Sequence, residues 1–270
     1  MSEKFTKNRF LQFSTFDIKV IGLILMVIDH FHQTFTPLGA PGWLDWFGRP
    51  VATLFFFTTV IGFSYTHNKK TYMIRLYISM AVMAILMHLT QQIIGFDQVQ
   101  LINNIFRDLF IGTIFMAGVD QFEKVKQGQA GKHIALGILL FLVPFLLSLI
   151  MLPLLSSAGS MSAGKSLFMQ LLLALNPAIL LAENGLMVLL IPVLYIFRNV
   201  RWAQLLSIAV VALIYGLMGM TQWMMIFAII PIALYSGAKG RGMKYFFYIF
   251  YPAHIIVLYL LAAWMYMPMK

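Results

Sequence analysis

Apolar residues in this chain come in long runs, and polar residues collect in the short gaps between them. A helix needs about 20 apolar residues to cross a hydrocarbon layer of about 30 Å. Runs near 16–36, 49–66, 73–95, 100–118, 132–152, 184–198, 202–219, 221–236 and 245–267 meet or approach that length, and predict about nine spanning helices. A further apolar stretch, Leu167–Leu181, decides the topology. If it does not cross, every Lys and Arg except Arg49, Arg107, Lys165 and Lys270 falls on one side of the membrane. The positive-inside rule then puts that side, and the N-terminus, in the cytoplasm and the C-terminus outside. Residues 153–183 become an outer loop with a re-entrant or surface helix broken at Asn176-Pro177. A ten-span reading, in which the stretch crosses, moves the Arg198 and Lys239 loops outside and weakens the asymmetry.

Composition agrees with the run lengths. Of 270 residues, 61% are hydrophobic and 10% are charged, whereas soluble domains carry about 25% charged residues. The expected fold is an all-α, polytopic transmembrane helix bundle, multi-pass in the cell membrane, with 1–270 forming a single integral membrane domain. The net charge of +10 belongs to loops that face anionic headgroups, and no compact basic face interleaved with aromatics suggests nucleic acid. With no cysteine, disulfides and thiolate nucleophiles are excluded. The first apolar run contains Asp29 and His30 and is followed by no small-residue cleavage site, so it reads as an uncleaved span.

Ionisable residues inside spans are costly, by at least about 2.5 kcal/mol on insertion scales, and mark candidate sites. This chain has Asp29, His30, Arg49, His88, Arg107, Asp108 and His254 in such positions. At a rise of about 1.5 Å per residue, most of them share a layer from the midplane outward. Asp29 can pair with Arg49 or Arg107, and Arg107-Asp108 reads as a structural charge pair. His30 diverges from Asp29 by about 100° around the helix and is the candidate base. On the inner side, Ser236-Gly-Ala-Lys-Gly-Arg-Gly-Met-Lys244 combines glycines with Lys239, Arg241 and Lys244, a composition suited to phosphate. Metal-ligand spacings, a GxSxG elbow and a P-loop are missing.

Three blocks resemble the TraX family of membrane proteins. They are Phe16–His30 (FDIKVIGLILMVIDH), Gly48–Leu76 (GRPVATLFFFTTVIGFSYTHNKKTYMIRL) and Leu234–Leu258 (LYSGAKGRGMKYFFYIFYPAHIIVL). The second departs at Leu54 and Ile61, where the family often has a proline and an acidic residue. The resemblance implies acetyl transfer from acetyl-CoA to an amine, the pilin N-terminus in the founding member, with a histidine in an early span as base or acetyl carrier. Carried onto this sequence, it implies catalytic roles for His30, Asp29, His254, Arg49 and Tyr251. Arg75, Tyr235, Gly237, Lys239, Gly240, Arg241 and Lys244 would bind the cosubstrate. No metal is expected, and the acceptor, an amine or a hydroxyl of a membrane or surface substrate, stays open. A proton-coupled transporter and a non-catalytic assembly factor for surface polymers are the competing classes.

Overall fold

A computed structural model describes residues 12–157 and 163–266, and among them the fold is an all-α bundle. Ten α-helices follow in order: α1 Thr15–Phe35, α2 Val51–Tyr65, α3 Lys69–Ile94, α4 Ile105–Lys124, α5 Ala130–Ser157, α6 Ala163–Leu175, α7 Leu190–Ile196, α8 Arg201–Leu217, α9 Ile229–Ala233 and α10 Lys244–Tyr266. Four stretches are long and apolar enough to cross a membrane: Gly42–Tyr65, Lys69–Ile94, Ala130–Pro153 and Tyr245–Tyr266. Gly185–Ile196, Arg201–Leu217 and Thr221–Ala233 are apolar but shorter. The last of these opens as a 3-10 helix, Thr221–Ala228, before α9.

Local chemistry sets the helix ends. Ser14 caps α1 in a reciprocal box: its hydroxyl accepts from the Asp17 amide, and the Asp17 carboxylate accepts from the Ser14 amide at 2.8 Å. Asn68 caps α3 by accepting from the Thr71 amide. That helix stops at Gly95, whose φ of 65° suits a residue without a side chain.

The basic helix boundaries gather at one end. Lys69 reaches Asp120 at 2.6 Å and the Tyr195 hydroxyl at 2.9 Å, joining α3, α4 and α7. Arg198 pairs with Glu123 at 2.8 Å, and Arg201 donates to the Ile232 carbonyl at 2.7 Å. Residues 198–201 therefore sit at the same end as the α4–α5 turn. Helix α6 has 13 residues, about 20 Å of helix, which is short of a crossing. It ends at Leu175, immediately before Asn176-Pro177, and proline cannot continue the ladder. Lys4, Lys7 and Arg9 lie outside the described residues.

At the opposite, far end, α4 starts later than the expected 100–118 span. Gln91 draws the preceding loop back into the bundle, donating to the Phe96 and Val99 carbonyls and accepting from the Leu101 amide. Asn104 then bonds the Met80 carbonyl in mid-α3. Satisfying this backbone inside the bundle allows an irregular segment at that depth. Tyr259 secures the same loop to α10, accepting from the Phe96 amide and donating to its carbonyl.

Candidate active site

The basic end holds a cavity whose floor is the first helix and whose rim is the glycine-rich loop. Phe13 and Tyr235 form a parallel bridge, and the Thr15 amide donates to the Ala238 carbonyl at 2.8 Å. Gly240, at φ +71°, lies so close to Ser14 and Phe16 that a Cβ would overlap the Ser14 hydroxyl. Lys239 and Arg241 are thereby held, exposed, beside the start of α1. The cavity encloses about 870 Å³ and is edged by Lys19, Arg75, Lys239 and Arg241. Deeper in, its wall is apolar, with Leu23, Phe55, Leu76 and Phe106. Tyr235 and Gly237 also line it. The Tyr235 hydroxyl accepts from Thr15, and Arg201 stacks over its ring at 4.8 Å. Lys244 opens α10, but its side chain lies outside the described residues.

A second cavity of about 860 Å³ opens toward the far end, lined by Asp29, His30, Gln33, Arg49, Asn103 and Glu183 among others. Met26, Ile105 and Tyr251 line both cavities, so the two approach each other from opposite ends.

At that junction α1 and α10 bring two histidines together. The His30 Nδ1 and His254 Nε2 atoms are 2.8 Å apart, and the rings lie near parallel. The second nitrogen of His254, Nδ1, is 2.8 Å from the Phe250 carbonyl. A carbonyl only accepts, so Nδ1 of His254 carries a proton and, in the neutral ring, Nε2 carries a lone pair. Nδ1 of His30 must then be the donor of the pair, which leaves the lone pair of His30 on Nε2. His30 is 4% exposed and lines the far cavity, whereas His254 sits behind it. Pro252, about two turns into α10, cannot donate to the Tyr248 carbonyl, and it loosens the helical ladder next to His254.

Asp29 does not reach Arg49 or Arg107. Its carboxylate accepts from Gln33 at 2.8 Å and leaves Oδ1 without a partner. Gly48 packs against it so tightly that a Cβ would collide with the carboxyl group. Arg49 instead pairs with Asp45, four residues back in the 3-10 turn Gly42–Gly48, and its carbonyl accepts from Gln222. The i,i+4 spacing of Asp45 and Arg49 was a readable signal for that pair. Arg107 and Asp108 do not pair with each other either. Arg107 donates to the Leu173 and Leu181 carbonyls at 2.8 and 2.9 Å. Asp108 accepts from the Glu183 and Asn184 amides and from the Asn184 side chain. Adjacent helical side chains diverge by about 100°, so each holds a different part of segment 173–184. The charge-pair expectations for Asp29 and for Arg107-Asp108 are therefore corrected.

Glu183 and Lys19 enter the site without having been singled out as site residues. Glu183 accepts from the Asn104 amide at 2.7 Å, from Asn103, and from the Tyr251 hydroxyl at 3.2 Å. That hydroxyl in turn accepts from the Ile105 amide. Lys19 lies over the Phe247 ring at 5.2 Å. Its position one helical turn above the cap, on the loop side of α1, is set by packing that hydropathy does not encode. Among the described residues there is no cluster of three or more His, Cys, Asp or Glu able to hold a metal ion.

A family model described as TraX protein matches residues 14–262. No curated protein and no solved structure matches the chain.

Proposed function

We propose that this chain, which belongs to the TraX protein family, is a membrane-embedded acyltransferase that moves acetyl from cytosolic acetyl-CoA to an acceptor reached from the far side. One observation carries the reading: two cavities of opposite access share the walls Met26, Ile105 and Tyr251 beside a histidine pair whose tautomers are set by a backbone carbonyl.

The cavity at the basic end suits acetyl-CoA. Lys239, Arg241, Lys19 and Arg75 would hold its phosphates as charge-assisted donors, with the Gly237 and Gly240 backbone permitting close approach. The apolar wall suits the pantetheine arm, which would bring the thioester to the junction. His30 Nε2 then removes the proton from the acceptor's hydroxyl or amine as that atom attacks the thioester carbonyl carbon. The new bond to the acetyl carbon forms, the carbon–sulfur bond breaks, and the departing thiolate takes the proton from His30 Nε2 to leave as free CoA thiol. His254 keeps the His30 Nδ1 proton in place and stabilises the imidazolium through the same hydrogen bond. The Tyr251 hydroxyl is the oxyanion donor in this reading, turning its O–H away from Glu183. Arg49, bound to Asp45 and Gln222, supports the wall of the acceptor side.

The test is acetyl-CoA binding to purified protein in nanodiscs, with Lys239→Ala/Arg241→Ala beside it. Saturable binding that the double variant weakens by tenfold or more is expected. Absence of binding in folded protein would overturn the reading. Proton flux through liposomes carrying the protein, in that case, would favour the transporter class.

A further inference from the structure

The far cavity is chemically unlike the one at the basic end. Its charged residues balance and are largely engaged within the protein: Arg49 by Asp45, Arg107 by two carbonyls, and Glu183 by the Asn104 amide and Tyr251. Carboxamides dominate the remaining polar lining, with Gln98, Gln100, Asn103, Asn104, Asn184 and Gln222. Several buried atoms of lining residues have no partner within the protein. Asp29 Oδ1 and Asn104 Oδ1 are acceptors, Arg107 Nε is a donor, and His88 Nε2 can be either. Buried polar atoms are normally paired by protein or by ordered water, so this set beside one cavity marks a polar wall that suits a polar ligand.

The ligand must supply both donors and acceptors. An ammonium group has donors only and would leave Arg107 Nε unmet. A hydroxyl both donates and accepts, and neighbouring hydroxyls on a ring match the alternation of carboxamide oxygen and nitrogen. The volume of about 860 Å³ falls within the range of about 300–1,000 Å³ for small-ligand clefts.

Resting on the acyltransferase reading, we infer that the far cavity is the acceptor site and that its chemistry selects an uncharged, hydroxyl-rich acceptor of the saccharide class. Gln33, which lines the cavity and is held by the Asp29 carboxylate at 2.8 Å, would accept the hydrogen of one acceptor hydroxyl and so orient the next toward His30. The reacting hydroxyl then gives its proton to His30 Nε2, its oxygen bonds the acetyl carbon, and CoA leaves as the thiol. The product is an O-acetyl ester.

The experiment uses the full-length protein in nanodiscs. Calorimetry measures binding of short β-linked glucose and N-acetylglucosamine oligomers, and of a peptide with a free N-terminal amine. The same ligands are incubated with acetyl-CoA and analysed by mass spectrometry for an alkali-labile acetyl group. Saturable oligosaccharide binding is expected, weakened at least tenfold in Gln98→Ala/Gln100→Ala at the rim and in Asn104→Leu within. Melting temperature is followed for each variant, and the exposed rim pair keeps the test sound if Asn104→Leu unfolds. Binding and acetylation of the peptide amine with none of the oligosaccharides would overturn the inference. So would failure of every oligosaccharide to bind protein that binds acetyl-CoA. Failure of acetyl-CoA to bind while an oligosaccharide does would instead overturn the reading beneath it and leave a saccharide site.

Discussion

Replacing His254 by leucine removes the acceptor of the His30 Nδ1 proton and leaves a buried donor unpaired. In the ground state that hydrogen bond joins two neutral rings and is worth about 0.5–1.5 kcal/mol net. In the proposed transfer His30 becomes charged as it takes the acceptor's proton, and the same bond is then worth about 1.5–3 kcal/mol. The tautomer also loses its constraint, so part of the His30 population presents Nε2 protonated and inactive. The difference between the two bonds, with the tautomer effect, raises the barrier by about 1–2.5 kcal/mol, a loss of roughly 5- to 70-fold in kcat. The KM for acetyl-CoA should stay within about twofold, because His254 lines neither cavity. His254→Gln, whose side-chain oxygen can accept from His30, should recover most of the rate. Turnover is read as CoA thiol released from acetyl-CoA in nanodiscs, with a glycan and lipid extract as the acceptor pool, across pH. A His254→Leu variant that is folded and turns over at the wild-type rate would refute the relay. Equal loss in His254→Leu and His254→Gln would refute its dependence on a hydrogen-bond acceptor.

Three further outcomes are expected. Gly240→Ala adds a Cβ against Ser14 at a φ of +71°, so it should cost about 1–2 kcal/mol from backbone strain alone; thermal melts should detect that loss, and calorimetry should find weaker acetyl-CoA binding with the far cavity unaffected. Asp108→Ala leaves the Glu183 and Asn184 amides and the Asn184 side chain without their acceptor. It should destabilise by about 3 kcal/mol or more, visible as a lower melting temperature and earlier proteolysis near 176–184, with Asp108→Asn intermediate. Because the chain has no cysteine, single Lys239→Cys and Gln98→Cys variants can be labelled without background. An impermeant thiol reagent should reach Gln98→Cys from outside intact cells and Lys239→Cys only after the membrane is opened; the reverse pattern would invert the topology.

Run length and charge asymmetry were enough to read an all-α bundle and to group the basic boundaries, because lipid imposes both directly on the sequence. What hydropathy could not supply was lateral packing. It located His30 and His254 in separate spans, but their contact depends on how α1 and α10 cross, some 224 residues apart in sequence. Lys19 reads as one more inner cation until the Phe13–Tyr235 bridge brings the loop beside it. The late start of α4 was hidden for a related reason. Residues 100–104 are apolar or amide-bearing and read as the beginning of a helix, yet Gln91 and Glu183 accept from the Leu101 and Asn104 amides within the bundle. Arg107 and Asp108 were recognised as costly, but adjacency in sequence suggested a pair where the helix separates them.

The bridge between Phe13 and Tyr235 also has a consequence for how the protein is made. Helix α1 leaves the ribosome carrying His30, but its hydrogen-bond partner follows 224 residues later, after the loop with Lys239 and Arg241. Until α10 is inserted, the helices already in the bilayer have no rim for the cavity at the basic end and no His254 to fix His30. Nascent chains halted before Lys239 should therefore integrate yet lack both the rim of that cavity and the histidine pair, so that the proposed site is assembled only once α10 is in place.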